Sequence, residues 1–562
     1  MKLLLIDYIS LLKEDAELDN LIASIATSMD LQIVGLPQTG IAQLGVDIHA
    51  VGIDPVDNVR KNFLFTIKRG DIDRTAWHAD SNGVRASLTE IIDAYIPTKI
   101  SPEFSALPNK IVLCCGGTVK QQTQTLWSNY QANNQHENVQ YEEWNGTKIA
   151  DNVEKYLLNE YILFENVRKK IRSTLIYVSD PEYNLQHFKE SIDEILFNTN
   201  LNSTLPNFPA KALKAISAVP ICLALLNEYA TQSGNTKHSL VAAEYTLMRS
   251  FDFILKNNLS DDNKIKSIFF KIENLFNQYG ANYYNKMIDY INVKDGLVKF
   301  CGSHIEASVI TFETIGFLSV LGIYQFQMGL QLEDNTAIEN SEQIYLSIEK
   351  IINTLEISNT PSFDKMNIEI CITLFFFMAK GKTESAKKWI ESIINTFIFC
   401  YDVLGKHFPT DKNSIKELME FEFGITKNKA DMLKTSNLLP TLAYWCVLFE
   451  MDKQYEQIVS FVDKSLSGCH LQMWYPKKGI KDFILKKYAG SEFGIMEVPI
   501  VLPKTITELK NKMIELENFA NQSNEIETDF KDIPAGIQLM SARHFKYQVN
   551  PLLWFHVLSK SQ

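Results

Sequence analysis

A carboxylate and a lysine about twenty residues apart, each in a strand-like run, are the residues here whose types and spacing could do chemistry: Gly45-Val46-Asp47-Ile48 and Thr66-Ile67-Lys68. Val46 to Val51 alternates apolar and polar residues, Asp54-Pro55-Val56-Asp57-Asn58 reads as a turn, and Phe63 to Lys68 follows as a second strand. This pattern predicts a hairpin whose arms bring Asp47 and Lys68 to one point. Hydrolysis of a phosphodiester needs a hard divalent cation on oxygen ligands, a water made nucleophilic, and compensation of developing negative charge. In such a site Asp47 is the central metal ligand and the Ile67 carbonyl is a backbone ligand. Residues two apart on a strand face the same side, so Thr66 and Lys68 point together, and Lys68 would orient the water and offset charge. Arg69, Arg74 and Arg85 follow closely enough to form a phosphate-contacting rim, although a solvated face is an equally ordinary use of each. Trp77 and His78 could stack on a base or move a proton, against the commoner role of packing the surface.

The elements that must hold these residues are legible in outline. Leu18, Leu21, Ile22 and Ile25 follow helical spacing behind an acidic start, Glu14 to Asp19, which suits the positive end of a helix dipole. A short strand over 31–34 comes next, then the hairpin, a helix over 84–95, and the buried strand Ile111-Val112-Leu113-Cys114-Cys115 ended by Gly116-Gly117. A polar helix, a strand over 139–144 and a helix from Ile149 complete an α/β region. From about Glu165 onward, apolar residues recur at spacings of three and four, which predicts a large all-α region, possible as stacked helix pairs in a solenoid without a definable repeat. The domains expected are 1–164, 165–357 and 358–562. Breaks at 198–209, 333–342, 358–364 and 521–532 are candidate hinges or inter-domain loops.

With its order of elements, the first 160 or so residues resemble the PD-(D/E)xK restriction-endonuclease-like superfamily, particularly the Mrr-like nuclease domains at the N-terminus of bacterial defence proteins. The resemblance rests on Asp47 and Lys68, the helix before the hairpin, the strand 111–117, and Gln140-Tyr141-Glu142-Glu143-Trp144-Asn145-Gly146-Thr147-Lys148-Ile149, which looks like that family's late strand-to-helix junction. It implies a mixed central sheet flanked by helices, a Mg²⁺ or Mn²⁺ cofactor, a nucleic-acid substrate with DNA favoured, and an effector role in antiphage defence. It also implies an acid on the first helix, which the apolar pattern puts at Asp19 with Glu17 as the alternative. Where the family has a second acid two residues before its lysine, this chain has Thr66. A hydroxyl is a weaker ligand than a carboxylate, so a decayed site on a helical scaffold stands beside the nuclease reading. A homo-oligomer, or a nuclease subunit working with a separate NTPase or sensor, also fits.

Composition sets the bounds. The chain has 562 residues, 46% hydrophobic and 22% charged, enough for two or three globular domains. A net charge of −12 excludes a global basic field, so any nucleic-acid contact must use a local patch. Asp7 cuts short the apolar run from Leu3 to Ile6, so no secretion signal is expected. The apolar stretches 309–330 and 371–379 are interrupted or short and predict core helices, with no membrane partner. Eight cysteines without framework spacing suggest reduced thiols and a cytoplasmic protein. Gly381-Lys382-Thr383 lacks the upstream glycine of a phosphate loop, since position 376 is Phe. Cys301-Gly302-Ser303-His304 has no second pair at zinc spacing. Arg543-His544-Phe545-Lys546-Tyr547 with Pro551 to Phe555 could contact nucleic acid or dock the last helix.

Overall fold

A computed structural model describes residues 2–35, 44–80, 83–156, 165–198, 208–405, 409–412, 414–425, 429–482, 484–486, 495–550 and 553. The chain divides into two compact units, Met1–Ala242 with Lys256–Ile272, and Ala243–Leu255 with Glu273–Gln562.

In the first unit, β1 (Gln32–Gly35), β2 (Ile48–Ile53), β3 (Arg60–Lys68), β4 (Asn109–Cys115) and β5 (Val139–Trp144) form one sheet in that spatial order. β2 runs antiparallel to β1 and β3, whereas β3, β4 and β5 run parallel. Short turns suffice for the antiparallel pair; the parallel steps need helical crossovers. These are α3 (Arg74–His78), α4 (Val84–Glu90) and α5 (Ile96–Lys99) before β4, and α6 (Gln121–Asn133) before β5, where α1 (Lys2–Ser10) and α2 (Asp19–Ser28) precede the sheet. One face of the sheet buries Leu64, Ile111, Leu113 and Cys115 against Val84, Leu88, Ile91, Trp127 and Tyr130 of the crossovers. On the other face Phe65 meets Trp144 edge-on at 5.2 Å. α7 (Gly146–Tyr156) starts three residues before the expected Ile149 and packs against α1 and α2. The acidic start predicted for a single helix is a separate π-helical turn, Glu14–Leu18, leading into α2. α8 (Glu165–Tyr177), α9 (Gln186–Phe197) and α10 (Phe208–Gln232) follow, and α10 packs on α1.

The second unit is largely helical but not all-α, which corrects the expectation for this region. A small sheet joins β6 (Thr435–Ser436), β7 (His470–Pro476) and β8 (Ile495–Pro499) in that order. His470-Leu471-Gln472-Met473-Trp474-Tyr475-Pro476 is a short apolar run whose periodicity cannot separate helix from strand, and its aromatic content and terminal proline favour the strand. Most of the predicted break at 333–342 is helix: Asp334 accepts the Thr336 and Ala337 N–H groups and starts Asn335–Thr354 immediately after the preceding helix. Most of the break at 198–209, and all of the 551–555 segment except Leu553, lie outside the described residues. The helices Phe208–Gln232 and His304–Leu332 are long and apolar enough to cross a membrane, but 67% and 83% of their most apolar windows are buried within the protein. They are core helices.

Candidate functional site

The site begins with the turn into β2. Gly45 has φ of +81°, and a Cβ there would sit 2.1 Å from the Ser87 carbonyl oxygen of α4, so only glycine fits both the backbone and the approach. This seats the turn and delivers Asp47 to the edge of β3. The Asp47 N–H donates to the Phe65 carbonyl at 2.9 Å, and the Asp47 Oδ2 accepts the Ile67 N–H at 2.6 Å. Ile48 is the first residue of β2 to pair, with Phe65, and Asp47 lies just before it, its N–H bonded to that same Phe65 and thus outside the regular register. In a strand the N–H and C=O of one residue point to the same side, so the Ile67 carbonyl also faces Asp47.

Lys68 ends β3, partly buried, with Nζ 3.5 Å from Glu14 Oε1. The other Glu14 oxygen accepts the Arg69 N–H at 3.3 Å. Burial pushes the Asp47 carboxyl up to about 6, against the Ile67 N–H and Lys68, which favour the charged form; the negative charges of Glu14 and Asp19 push it further up. Asp19 therefore contributes charge to the site, while its own carboxylate accepts the neighbouring Asn20 N–H at 2.6 Å. Glu17 is committed elsewhere: it accepts the Lys13 N–H at 2.7 Å and pairs with Lys214 of α10. Glu14, the acid that reaches Lys68, was not singled out from the sequence. Its signal was membership of the acidic run before the first helical pattern, where helical spacing pointed to later positions because the π turn was not foreseen.

Thr66 is fully buried, and its Oγ1 has no hydrogen-bond partner among the described residues. It pairs in register with Leu113, in the same row of the sheet as Leu64 with Ile111. The site lies at the carboxyl ends of the parallel strands. There the Gly116 N–H donates to the Lys68 carbonyl at 3.3 Å, Gly117 to Gly70 at 2.9 Å and Gly146 to Gly117 at 2.7 Å, tying three loops together. A Cβ on Gly146 would stand 2.6 Å from the Gly116 carbonyl oxygen, so this junction admits glycine alone.

Arg69 is exposed beside Glu14; Arg74 and Arg85 are exposed on α3 and α4, and among the described residues no hydrogen bond or ion pair links those two to Asp47 or Lys68. Trp77 is a core residue, 2% exposed and edge-on to Trp127 and Tyr130, so it offers no stacking surface. His78 is exposed at the end of α3.

The donors around Asp47 are hard oxygens: its Oδ1, for which the described residues show no hydrogen bond, the Ile67 carbonyl and Glu14. Among the described residues no three His, Cys, Asp or Glu side chains gather into a metal-holding group. The set therefore does not make an all-protein cage. It fits a Mg²⁺-type ion, which binds through one or two carboxylates and keeps several waters, and a cation would stabilise the charged form that burial disfavours.

The other sequence features resolve into structural roles. Gly381-Lys382-Thr383 joins two helices, and both Lys380 and Lys382 pair with Glu342. Ser303 caps the helix His304–Leu332 by accepting the Glu306 N–H, while Glu306 accepts the Gly302 N–H at 2.7 Å. Arg543 and His544 converge on buried Glu244, and Lys546 bonds Glu369 at 2.5 Å, so the cluster docks the helix Ala535–Phe545. None of the eight cysteines, all described, is in a disulfide. Against family models, curated proteins and solved structures, the chain has no match.

Proposed function

We propose that the first unit is a metal-dependent phosphodiesterase of the PD-(D/E)xK restriction-endonuclease-like kind, acting on nucleic acid, with DNA favoured. The observation that carries the reading is the Asp47 carboxylate seated on the Ile67 N–H, one residue from Lys68, where two antiparallel strands end. Asp47 and the Ile67 carbonyl would hold Mg²⁺ or Mn²⁺, with Glu14 and the charge of Asp19 in support. The ion supplies Lewis-acid chemistry and lowers the pKa of a bound water. Lys68 keeps that water oriented and offsets charge developing on the phosphate; in the resting protein Glu14 holds its ammonium in place. Arg69 contributes to the rim. The helical remainder, in solenoid-like or other stacking, senses, assembles or restrains the nuclease, and an intracellular antiphage setting follows from the resemblance alone.

A second reading has one observation in its favour. Thr66 buries a hydroxyl without a partner among the described residues where a second acid would be expected, which suits a decayed site on a scaffold, or a subunit activated only with a separate NTPase. The experiment is cleavage of plasmid, linear and single-stranded DNA and of RNA by wild type, Asp47→Ala and Lys68→Ala, in Mg²⁺, Mn²⁺ or EDTA. Metal-dependent cleavage lost in both folded variants is the expected result. Cleavage unchanged in both removes the assignment, and no cleavage by wild type favours the second reading, which predicts no Asp47-dependent metal binding.

A further inference from the structure

The nuclease reading leaves unexplained a lysine that the helical part of the first unit sends into the acidic turn. Lys214 of α10 pairs with Glu17, whose other oxygen accepts the Lys13 N–H at 2.7 Å. Lys214 is only 13% exposed along its side chain, whereas Lys13 and Arg69 are exposed. Burial, together with the positive charges of Lys13 and Arg69, disfavours the charged form of Lys214, with Glu17 opposing. Glu17 ties Lys214 to the Lys13 backbone, and Glu14, next to Lys13, ties the Arg69 backbone and Lys68, so three cations from three elements come together: Lys13 before the π turn, Arg69 after β3 and Lys214 on α10.

We propose that Lys13, Arg69 and Lys214 receive the phosphates flanking the one bound at Asp47 and Lys68, and that Glu17 is the resident counter-ion of Lys214 which the polyanion displaces. This inference rests on the nuclease reading and makes α10 part of the substrate surface. Cations packed closely around a half-buried lysine repel one another, and a phosphate relieves that repulsion more effectively than it would at isolated surface lysines. The balance of charge sets the order of events. Among the described side chains, Lys13, Lys68, Arg69 and Lys214 are matched by Glu14, Glu17, Asp19 and Asp47, so these eight carry no net charge until a divalent cation loads. Nucleic acid then follows the metal.

The test is equilibrium binding of the full chain to a labelled DNA duplex and to its single strand, by fluorescence anisotropy against salt, in Ca²⁺ and in EDTA. Each lost phosphate contact lowers the slope of log K against log salt by about 0.9 on duplex and about 0.7 on single strand. Lys13→Ala with Lys214→Ala should therefore lower it by about 1.4 to 1.8. Lys214→Arg should keep the wild-type slope, and Glu17→Gln should tighten binding, which a merely structural ion pair would not do. Lys13→Ala alone, at an exposed position, gives the same reading at half the size if Lys214→Ala fails to fold. Binding by wild type with an unchanged slope in the variants overturns this inference and leaves the nuclease reading standing. No binding by wild type to either DNA in Ca²⁺ overturns this inference and, with it, the DNA-directed form of the nuclease reading.

Discussion

Asp47 carries a cost that its function would explain, and Asp47→Asn measures it. The amide can still accept the Ile67 N–H, so the substitution removes charge while keeping the bond that seats the side chain. The carboxyl moves from an ordinary 3.8 to about 6 in the folded protein. A raised acid pKa means the folded state holds a proton that the unfolded state has released. Stability therefore falls as pH rises from about 4 to about 6 and levels off above, and a difference of about two units corresponds to roughly 3 kcal/mol. Equilibrium urea unfolding between pH 4 and pH 8 without divalent cations, with hydrogen exchange in β2 and β3 as the local readout, follows it. The variant should lack this fall and be the more stable protein at pH 7. Mg²⁺ should recover stability in wild type at pH 7, by about 2.7 kcal/mol at a hundred times its dissociation constant, and do nothing for the variant. A variant less stable than wild type at pH 7, or one with the same pH slope, refutes the claim that burial of the Asp47 charge opposes folding.

Two further substitutions test what holds each unit. Gly45→Ala forces a Cβ to within 2.1 Å of the Ser87 carbonyl oxygen in a left-handed backbone, so it should cost more than about 1 kcal/mol in urea unfolding and reduce cleavage beyond what lost stability explains. Arg543→Met leaves Glu244 buried without its guanidinium and should cost the second unit about 3–5 kcal/mol, much of it recovered when Glu244→Gln is added; hydrogen exchange in the helix Ala535–Phe545 reads both.

The hairpin and the strands around it were legible because their signals are local. Alternation marked β2, the unbroken apolar run Ile111 to Cys115 marked a strand buried on both faces, and the aromatic segment ending at Trp144 marked β5. What the sequence did not reveal depends on contacts distant in the chain. Glu14 matters because a π turn swings it toward Lys68, and Lys214 because α10 returns to pack on α1, some two hundred residues after Lys13. The small sheet of the second unit was hidden because β7 takes its partners from residues 435–436 and 495–499, and a seven-residue apolar run carries no trace of them. Trp77 and the basic segment at 543–547 looked able to bind ligands from their composition, but each is held in a core, Trp77 by Trp127 and Tyr130, Arg543 by Glu244 and the Phe317 ring at 3.9 Å.

Thr66 ties the electrostatics to the chemistry. It is the neighbour of Ile67, whose N–H the Asp47 carboxylate accepts, and is fully buried in a sheet row whose neighbours are apolar. A second carboxylate there would be desolvated and would lie beside an acid already pushed up to about 6 by burial and by two nearby negative charges. Without a metal, one of the two would hold a proton. Threonine avoids that conflict in the metal-free protein at the expense of a charged ligand for the ion. On the proposed reading, threonine would weaken metal affinity and yet let the site persist folded without the ion, with Lys68 and Lys214 paired to Glu14 and Glu17. Such a site would, on that reading, rest without metal and polyanion and engage when both arrive together.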